Sequence, residues 1–274
     1  MTKKILIALS AVLLLTGCAS EFNQVYKSQD YTYKYEYAKQ CFAMGKYQQA
    51  ATLLSDVVTS QKGREAAQES LYMLAMSQYL NADYDAASAT FRKYFTSYPK
   101  GEYAEDASYY IGQSLYRNAP EPRLDQTPTV GAINAFQNFI DQFPESQRRE
   151  AAQQHMFELQ DLLVQKELLS AQLYYNLGGY YGNINANTES NYEACIITAQ
   201  NALKSYPFTE LREEFAVLIM KSKFELAENS SNERRVERYR EAEDECYGFI
   251  NEFPDSQACK MAQKYIEKCK KFTQ

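Results

Sequence analysis

The chain of 274 residues contains no tryptophan, a single histidine and only 10 glycines. His155 is the only histidine, which argues against a Ser-His-Asp triad, a Cys-His pair or a histidine-rich metal site. No GxxxxGK[ST] or GxGxxG segment follows an apolar, strand-like run, which argues against a nucleotide-binding loop. Carboxylates are plentiful, but nothing in the sequence indicates that two of them are buried together. The sequence therefore predicts a protein without catalytic, cofactor-binding or metal-binding residues.

The composition favours packed helices over a sheet. The 24 tyrosines and 14 phenylalanines are interleaved with Ala, Gln, Glu and Lys, most of which are good helix formers. The formal net charge is −6, and loss of Lys3 and Lys4 with an N-terminal signal would take it to −8. An acidic chain does not suit a nucleic-acid binder, which usually carries a basic surface. No nucleic-acid partner is therefore predicted.

The N-terminus has the pattern of an export signal. Lys3 and Lys4 form a positive region, and residues 5–15 (ILIALSAVLLL) form an apolar one. This apolar segment is too short to cross a bilayer as a helix, which takes about 20 residues. It has the length of the apolar region of a secretory signal.

The residues that end this signal, Leu15-Thr16-Gly17-Cys18, resemble the lipobox of bacterial lipoproteins. In such proteins the signal is cut before the cysteine, which is then acylated. The resemblance implies a signal peptide over residues 1–17, lipidation of Cys18 and a lipidated tether over residues 18–30. Ala19, in place of the aspartate that often retains lipoproteins in the inner membrane, implies the outer membrane. An ordinary signal peptide with a chance cysteine is the alternative.

Cysteine usage does not indicate a disulfide scaffold. Besides Cys18, the chain has five cysteines, an odd number without CxxC spacing: Cys41, Cys195, Cys246, Cys259 and Cys269. Export would permit disulfides, but the pattern favours small apolar residues in packed helices. Whether any two of them are bonded is left open, and Cys246 with Cys259 is the first pair to check.

One helical pattern recurs along the chain. Four aromatic-proline pairs punctuate it: Tyr98-Pro99, Phe143-Pro144, Tyr206-Pro207 and Phe253-Pro254. Apolar or small residues recur at the same offsets before each proline: Phe91, Phe136, Ala199 and Cys246 at eight, and Ala87, Ala132, Cys195 and Ala242 at twelve. These offsets lie on one face of a helix. The proline then ends that helix, because it has no N–H and disfavours a helical residue before it.

A second apolar pattern follows each proline and predicts the next helix. A fifth copy fits near the N-terminus if Lys62 takes the proline position. The sequence therefore predicts an all-α fold, a tetratricopeptide-repeat superhelix of five helix-turn-helix units with a capping helix near residues 256–272. The predicted halves are residues 31–144, with repeats one to three, and residues 145–274, with repeats four and five and the cap.

Tyrosines near the start of the first repeat are candidates for binding. Tyr31, Tyr33, Tyr35 and Tyr37 alternate in the sequence YTYKYEY, and on a helix they form two stripes. Aromatic side chains in grooves often carry recognition. Packing of both stripes is the equally weighted alternative.

Two insertions rich in Gly, Pro, Asn, Thr and Asp are predicted to be loops, over residues 117–128 and 178–191. The first contains Leu124, Asp125 and Gln126, which we interpret as a partner-docking loop. The alternative makes Leu124 a hydrophobic plug and Asp125 a turn former. The sequence does not separate these two interpretations.

At this point the chain resembles the BamD family, the lipoproteins of the outer-membrane β-barrel assembly (BAM) machinery, in the form found in Bacteroidetes-type bacteria. The resemblance is carried by YEYAKQCFAMGKYQQAATLL (35–54), DYDAASATFRKYFTSYPKGEYAEDA (83–107), LDQT (124–127), AINAFQNFIDQFPES (132–146), FELAENS (224–230) and FINEFPDS (249–256). A lipobox, five repeats and the LDQ insertion in this order are more specific than helical repeats alone.

The resemblance implies a non-enzymatic, lipid-anchored subunit on the periplasmic face of the outer membrane. Its partners would be BamA, other BAM subunits and unfolded outer-membrane β-barrel proteins. The N-terminal repeats would bind substrate through Tyr35, Tyr72 and Tyr79, and residues 170–270 would contact BamA. The long 178–191 insertion departs from the short glycine turn usual in the family. Alternatives are a periplasmic adaptor of another envelope complex, such as peptidoglycan synthesis, and a hydrolase with an acid–base pair in the groove.

Overall fold

The computed structural model describes residues 21–60, 66–178 and 190–273, which form helices and the turns between them. Residues 21–27 are helical (α1). The helices that follow are α2 (Tyr31–Ala43), α3 (Tyr47–Ser60), α4 (Ala67–Leu80), α5 (Tyr84–Ser97), α6 (Ala104–Arg117), α7 (Thr127–Gln142), α8 (Arg149–Leu177), α9 (Asn191–Ser205), α10 (Arg212–Glu228), α11 (Asn232–Glu252) and α12 (Cys259–Thr273). These ranges contain no strand, so the all-α prediction is confirmed. The number of repeat units stays a prediction.

The chain divides into two compact units, of which the first comprises Met1–Pro120 and Thr127–Leu159. Within it, consecutive helices from α2 to α7 pack against one another. One core joins α1 to α4 and includes Val25, Tyr35, Leu54 and Leu74. A second core joins α4 to α6 and includes Leu71, Phe91, Tyr94 and Ile111. Sequential packing of this kind is typical of helical-repeat proteins.

The second unit comprises Glu121–Gln126 and Gln160–Gln274. Helices α9 to α12 each pack against the next one. The later part of α8 joins α9 and α10 in a core that includes Val164, Ala171, Cys195, Ala199 and Phe215. The division between the units falls within α8, at Leu159, whereas the predicted halves meet at residues 144 and 145.

The periodic residues form the centre of these cores. Every residue eight or twelve positions before an aromatic-proline pair is fully buried: Ala87, Phe91, Ala132, Phe136, Cys195, Ala199, Ala242 and Cys246. A small residue at twelve lets the neighbouring helix approach, and the residue at eight, which ranges from alanine to phenylalanine, fills the remaining space. The recurring pattern is therefore a packing pattern.

The aromatic residue of each pair closes its helix. The N–H groups of Tyr98, Phe143, Tyr206 and Phe253 each donate to the carbonyl four residues earlier, at 2.8 to 2.9 Å. The following proline has no N–H with which to continue the ladder. At the other end, the Asp30 carboxylate caps α2 by accepting from the N–H groups of Thr32 and Tyr33 at 3.0 Å each.

The alternating tyrosines of the YTYKYEY segment are helical and lie in α2. Tyr35 is buried, with 6% of its surface exposed, whereas Tyr33 is 47% exposed. Tyr33 and Tyr37 contact each other edge to face, with ring centroids 6.5 Å apart. Tyr35 therefore lies in the core and Tyr37 packs against it, whereas Tyr33 is presented to solvent.

All five cysteines of the described ranges are free, including Cys246 and Cys259. Cys18, the signal peptide, Lys62 and most of the 178–191 insertion lie outside the described residues. No helix within the described ranges has both the length and the apolar character needed to cross a bilayer.

Candidate binding surfaces

A row of partly buried tyrosines follows α4 and α6 in the first unit. We name Tyr72, Tyr79, Tyr109, Tyr110 and Tyr116 the aromatic strip. Tyr72 and Tyr79 lie seven residues apart on α4, as do Tyr109 and Tyr116 on α6, so each pair shares a helix face. The two helices meet where the ring centroids of Tyr79 and Tyr110 are 5.0 Å apart.

Tyr72 is held from several sides. Its ring stacks on Tyr103 with centroids 4.3 Å apart, and its hydroxyl donates to the Asp106 carboxylate at 3.2 Å. Asp106 also pairs with Arg148, whose guanidinium lies 5.3 Å from the ring centroid of Tyr109. These contacts fix the orientation of the rings. They do not cover the rings completely, since each of these residues keeps part of its surface exposed.

The phenols of Tyr72, Tyr109 and Tyr110 stay protonated near neutral pH, because the pKa of each is raised. Burial, followed by the Asp106 carboxylate, raises the pKa of Tyr72. Burial also raises the pKa of Tyr109 and of Tyr110, while Arg148 opposes the change at both. A protonated phenol donates and accepts hydrogen bonds, and its ring offers an apolar face. The strip can therefore contact both the main chain and the side chains of a bound peptide.

His155 lies beside the last residue of the strip. Its ring centroid is 4.2 Å from that of Tyr116, and Nδ1 is 3.3 Å from the Glu158 carboxylate. The Tyr116 hydroxyl donates to Glu158 at 2.5 Å, and this hydrogen bond is the main cause that lowers the pKa of Glu158. His155 is partly buried. No group of three or more His, Cys, Asp or Glu side chains suited to a metal occurs in the described part of the chain.

Of the three tyrosines predicted to bind substrate, Tyr72 and Tyr79 lie in the strip, and Tyr35 does not. Tyr35 belongs to the core of α1 to α4. Its hydroxyl has no hydrogen-bond partner of normal geometry among the described residues. Burial is the main cause that raises the pKa of Tyr35, and the nearby Glu69 carboxylate is the next. Tyr35 thus offers a ligand less surface than the two strip residues do.

Sequence reasoning missed Tyr109, Tyr110 and Tyr116, although the repeat gave a signal for two of them. Tyr109 and Tyr116 follow Tyr72 and Tyr79 by 37 positions, the distance from Lys62 to Pro99. They are the equivalents of Tyr72 and Tyr79 in the next helical pair. Comparison of equivalent positions would have extended the prediction from α4 to α6.

The predicted docking loop is tied down at its base and exposed at its tip. The Gln126 side chain is buried and donates to the carbonyls of Glu121 at 2.8 Å and Leu124 at 3.3 Å. The Leu124 carbonyl also accepts from the Lys166 ammonium at 2.9 Å. Asp125 is exposed, as is 58% of Leu124. Gln126 therefore holds the loop, while Leu124 is presented outward.

An apolar surface lies on α8 in the second unit. Leu169, Leu173 and Leu177 follow one another at four-residue spacing and are 37%, 57% and 40% exposed. We name them the leucine stripe. Beside Leu169, a cavity of about 410 Å³ opens between α8 and α10, where Val217 lines it. Exposed leucines in a row are unusual on a monomer and mark interaction surfaces.

The helices are packed in sequence and carry two candidate binding surfaces, the partly exposed aromatic strip and the exposed leucine stripe. The chain belongs to the family described as outer membrane lipoprotein (YfiO), whose model matches residues 27–189. The match covers the aromatic strip, the docking loop and the leucine stripe; α9 to α12 lie beyond it. No curated protein sequence matches the chain.

Proposed function

We propose that the protein is a non-enzymatic subunit of the outer-membrane β-barrel assembly machinery. Lipidation of Cys18 would hold it on the periplasmic face of the outer membrane. There it binds unfolded β-barrel proteins and delivers them to BamA. Membership of the outer membrane lipoprotein family supports the location, and the aromatic strip is the observation that carries the substrate role.

Substrate binding is assigned to the aromatic strip. A strand-forming segment displays alternating apolar side chains and, when unpaired, free main-chain N–H and C=O groups. The rings of Tyr72, Tyr79 and Tyr116 offer apolar faces. The hydroxyls of Tyr72 and Tyr116 donate to Asp106 and Glu158, and their oxygens can still accept from main-chain N–H groups. Arg148, held beside the strip by Asp106, adds one positive charge. We expect binding to be non-covalent and reversible, so that transfer is driven by folding of the substrate in the membrane.

A photo-crosslinking residue at Tyr79 tests this assignment. Unfolded barrel proteins are expected to crosslink there in living cells. The matched control is the same residue at Tyr247, a 43% exposed tyrosine of α11 outside the strip. Crosslinks of equal yield at both positions would contradict the assignment. Crosslinks to peptidoglycan synthases in place of barrel proteins would support the adaptor alternative.

Binding to BamA is assigned to the leucine stripe and the neighbouring docking loop. Both lie in the second unit, and both expose leucine side chains on a fixed backbone. Leu173→Asp is expected to weaken copurification of BamA roughly tenfold, because a central apolar contact contributes more than about 1 kcal/mol. Gln153→Asp places the same charge at an exposed position of α8 outside the leucine stripe and should leave copurification unchanged. Equal losses in both variants would show a general charge effect.

Depletion separates this proposal from the adaptor alternative. Loss of the protein is expected to lower the amounts of outer-membrane barrel proteins while peptidoglycan composition stays intact. Altered peptidoglycan with normal barrel-protein levels would exclude the proposed role.

A further inference from the structure

The short helix α1 packs against α2. Val25 of α1 is fully buried in the core that Tyr35 and Leu54 share, and Phe22 packs against the same core. A turn follows α1, in which the Ser28 N–H donates to the Val25 carbonyl at 3.0 Å. Helix α1 is therefore part of the folded unit.

The contacts of Lys34 show that α1 and α2 run in opposite directions. The Lys34 ammonium lies 5.6 Å from the ring centroids of both Tyr26 and Tyr31, and it pairs with Asp56 at 2.7 Å. Residue 26 thus lies beside residue 34, on either side of the turn. At a rise of about 1.5 Å per residue in both helices, the first residue of α1 comes beside the last turn of α2. Glu21 and Lys46 both act on the Cys41 thiol, in agreement with this arrangement.

The length of chain before α1 limits where a lipid at Cys18 can lie. Three residue steps separate Cys18 from Glu21, and they span at most about 11 Å. The attachment point is therefore held near the turn between α2 and α3. It is held away from the opposite end of that hairpin, which lies about 18 Å along α2 from the turn.

This turn carries side chains suited to a lipid headgroup layer. Met44 is 65% exposed, and Gly45 has φ of +73° with open space around it. Lys46 adds a positive charge, and Phe42 and Tyr47 contact edge to face with ring centroids 5.6 Å apart. Apolar, aromatic and cationic groups together are typical of membrane-interface segments.

We infer that the α2–α3 turn, residues 42–47, is a membrane contact, and that its partner is the phospholipid headgroup layer that holds the acyl chains. This inference rests on the lipidation of Cys18 in the proposed function. It adds an orientation: the end of the α2–α3 hairpin that carries the turn lies against the bilayer. Its Met44 side chain inserts at the level of the headgroups, and Lys46 pairs with anionic phosphates.

Tryptophan fluorescence tests the orientation, because the chain has no tryptophan of its own. Met44→Trp and Tyr33→Trp place a single reporter at opposite ends of α2, both at exposed positions. The lipidated full-length chain is incorporated into phosphatidylethanolamine–phosphatidylglycerol vesicles that contain brominated lipid. Quenching at Met44→Trp is expected to be several-fold stronger than at Tyr33→Trp. Cys18→Ala supplies the unlipidated baseline.

The outcomes separate this inference from the proposed anchoring. If mass spectrometry finds no acyl chains on Cys18, both fail. Acylated protein with equal quenching at the two positions, or stronger quenching at Tyr33→Trp, overturns the orientation and leaves the anchor intact. Hydrogen exchange of the unsubstituted chain on vesicles gives an independent readout, and extra protection over residues 42–47 but not over residues 28–33 is expected. Equal protection of both segments contradicts the inference.

Discussion

Gly112 is a residue at which the packing of α6 against α7 leaves no room for a side chain. A Cβ at this position would lie 2.7 to 2.9 Å from three ring atoms of Phe136. Phe136 is fully buried and also lies near Tyr109, with ring centroids 5.9 Å apart. The ring therefore has little space into which to move. Glycine at residue 112 is required by the close approach of the neighbouring ring.

Gly112→Ala is expected to destabilise the first unit by about 1–3 kcal/mol, the range typical of overpacked cores. The measurement is the free energy of unfolding in urea, followed by circular dichroism. Gly131→Ala in α7 is the matched control, because a Cβ there meets no atom within 4 Å. This control should raise stability by about 0.5–1 kcal/mol, since alanine favours a helix over glycine. Destabilisation of similar size in both variants would contradict the steric explanation.

Tyr94 illustrates a role that periodicity does not reveal. It is fully buried, and its hydroxyl accepts from the Tyr103 N–H at 3.2 Å across the turn between α5 and α6. Tyr94→Phe keeps the ring but leaves this N–H without its acceptor, so we expect a loss of about 1–3 kcal/mol. Urea unfolding measures it, and Tyr98→Phe, on a partly exposed ring, is the comparison. A loss no larger than that of Tyr98→Phe would show that water replaces the hydroxyl.

At the scale of the elements, the buried side-chain amide of Gln126 holds the backbone of the loop over residues 121–126. Gln126 donates to two carbonyls of its own loop, and Lys166 holds the Leu124 carbonyl from α8. A short polar loop with such ties keeps one conformation, whereas without them its backbone would be free to open. The exposed Arg123 within it supplies a trypsin site that reports on that opening.

Gln126→Ala is expected to speed tryptic cleavage after Arg123 about tenfold, since the loss of a buried hydrogen bond costs about 1–2 kcal/mol of local stability. Leu124→Ala is the control: it shortens an exposed side chain and keeps the carbonyl that Gln126 and Lys166 bind. Cleavage rates are read by mass spectrometry of native protein. If Leu124→Ala opens the loop as much as Gln126→Ala does, the side chain and not the amide holds it.

The elements also show how far the sequence predicts the structure. Helices, their proline-marked ends and the fully buried positions at offsets eight and twelve follow from local periodicity, which is visible in the residues themselves. The hydrogen bond between Lys166 and Leu124 and the ion pair between Arg148 and Asp106 each join residues 42 positions apart. No local sequence pattern predicts such contacts. The lipobox resemblance implies a tether over residues 18–30, and it does not reveal α1 within that range, because so short a helix is stabilised by packing and not by its own sequence.

At the scale of the molecule, the candidate binding surfaces were predicted in part. The family resemblance implied Tyr72 and Tyr79 as candidates, and comparison of equivalent repeat positions would have added Tyr109 and Tyr116 to them. The leucine stripe was missed because α8 is 29 residues long and changes neighbours along its length. Its residues up to Leu159 belong to one unit, and those from Gln160 onward belong to the other. A residue's exposure there depends on which helices flank it, and the sequence of α8 alone does not contain that information.

Many buried thiols and phenols, taken together, make the molecule sensitive to alkaline pH. In the second unit, burial raises the pKa of Cys246 to about 12 and of Cys269 to about 11, from an ordinary value of 9.0. Burial likewise raises the pKa of Tyr175 and of Tyr239 to about 12, from 10.0. The folded state holds these protons more tightly than the unfolded state does. Stability is therefore complete below pH 9 and is lost as pH rises towards the folded-state values.

The urea midpoint of unfolding is expected to stay constant from about pH 7 to 8.5 and to fall steadily between about pH 9 and 11, because the unfolded thiols and phenols ionise first. Cys269→Ala should flatten the first part of this fall, since it removes one of the buried thiols. Cys259→Ala is the matched control, because Cys259 is only partly buried and its loss should leave the slope unchanged. Each variant is compared with its own midpoint at neutral pH, which removes the cost of the substitution itself. A midpoint that holds level up to pH 11, or equal slopes in both variants, would show that the core thiols do not couple folding to pH.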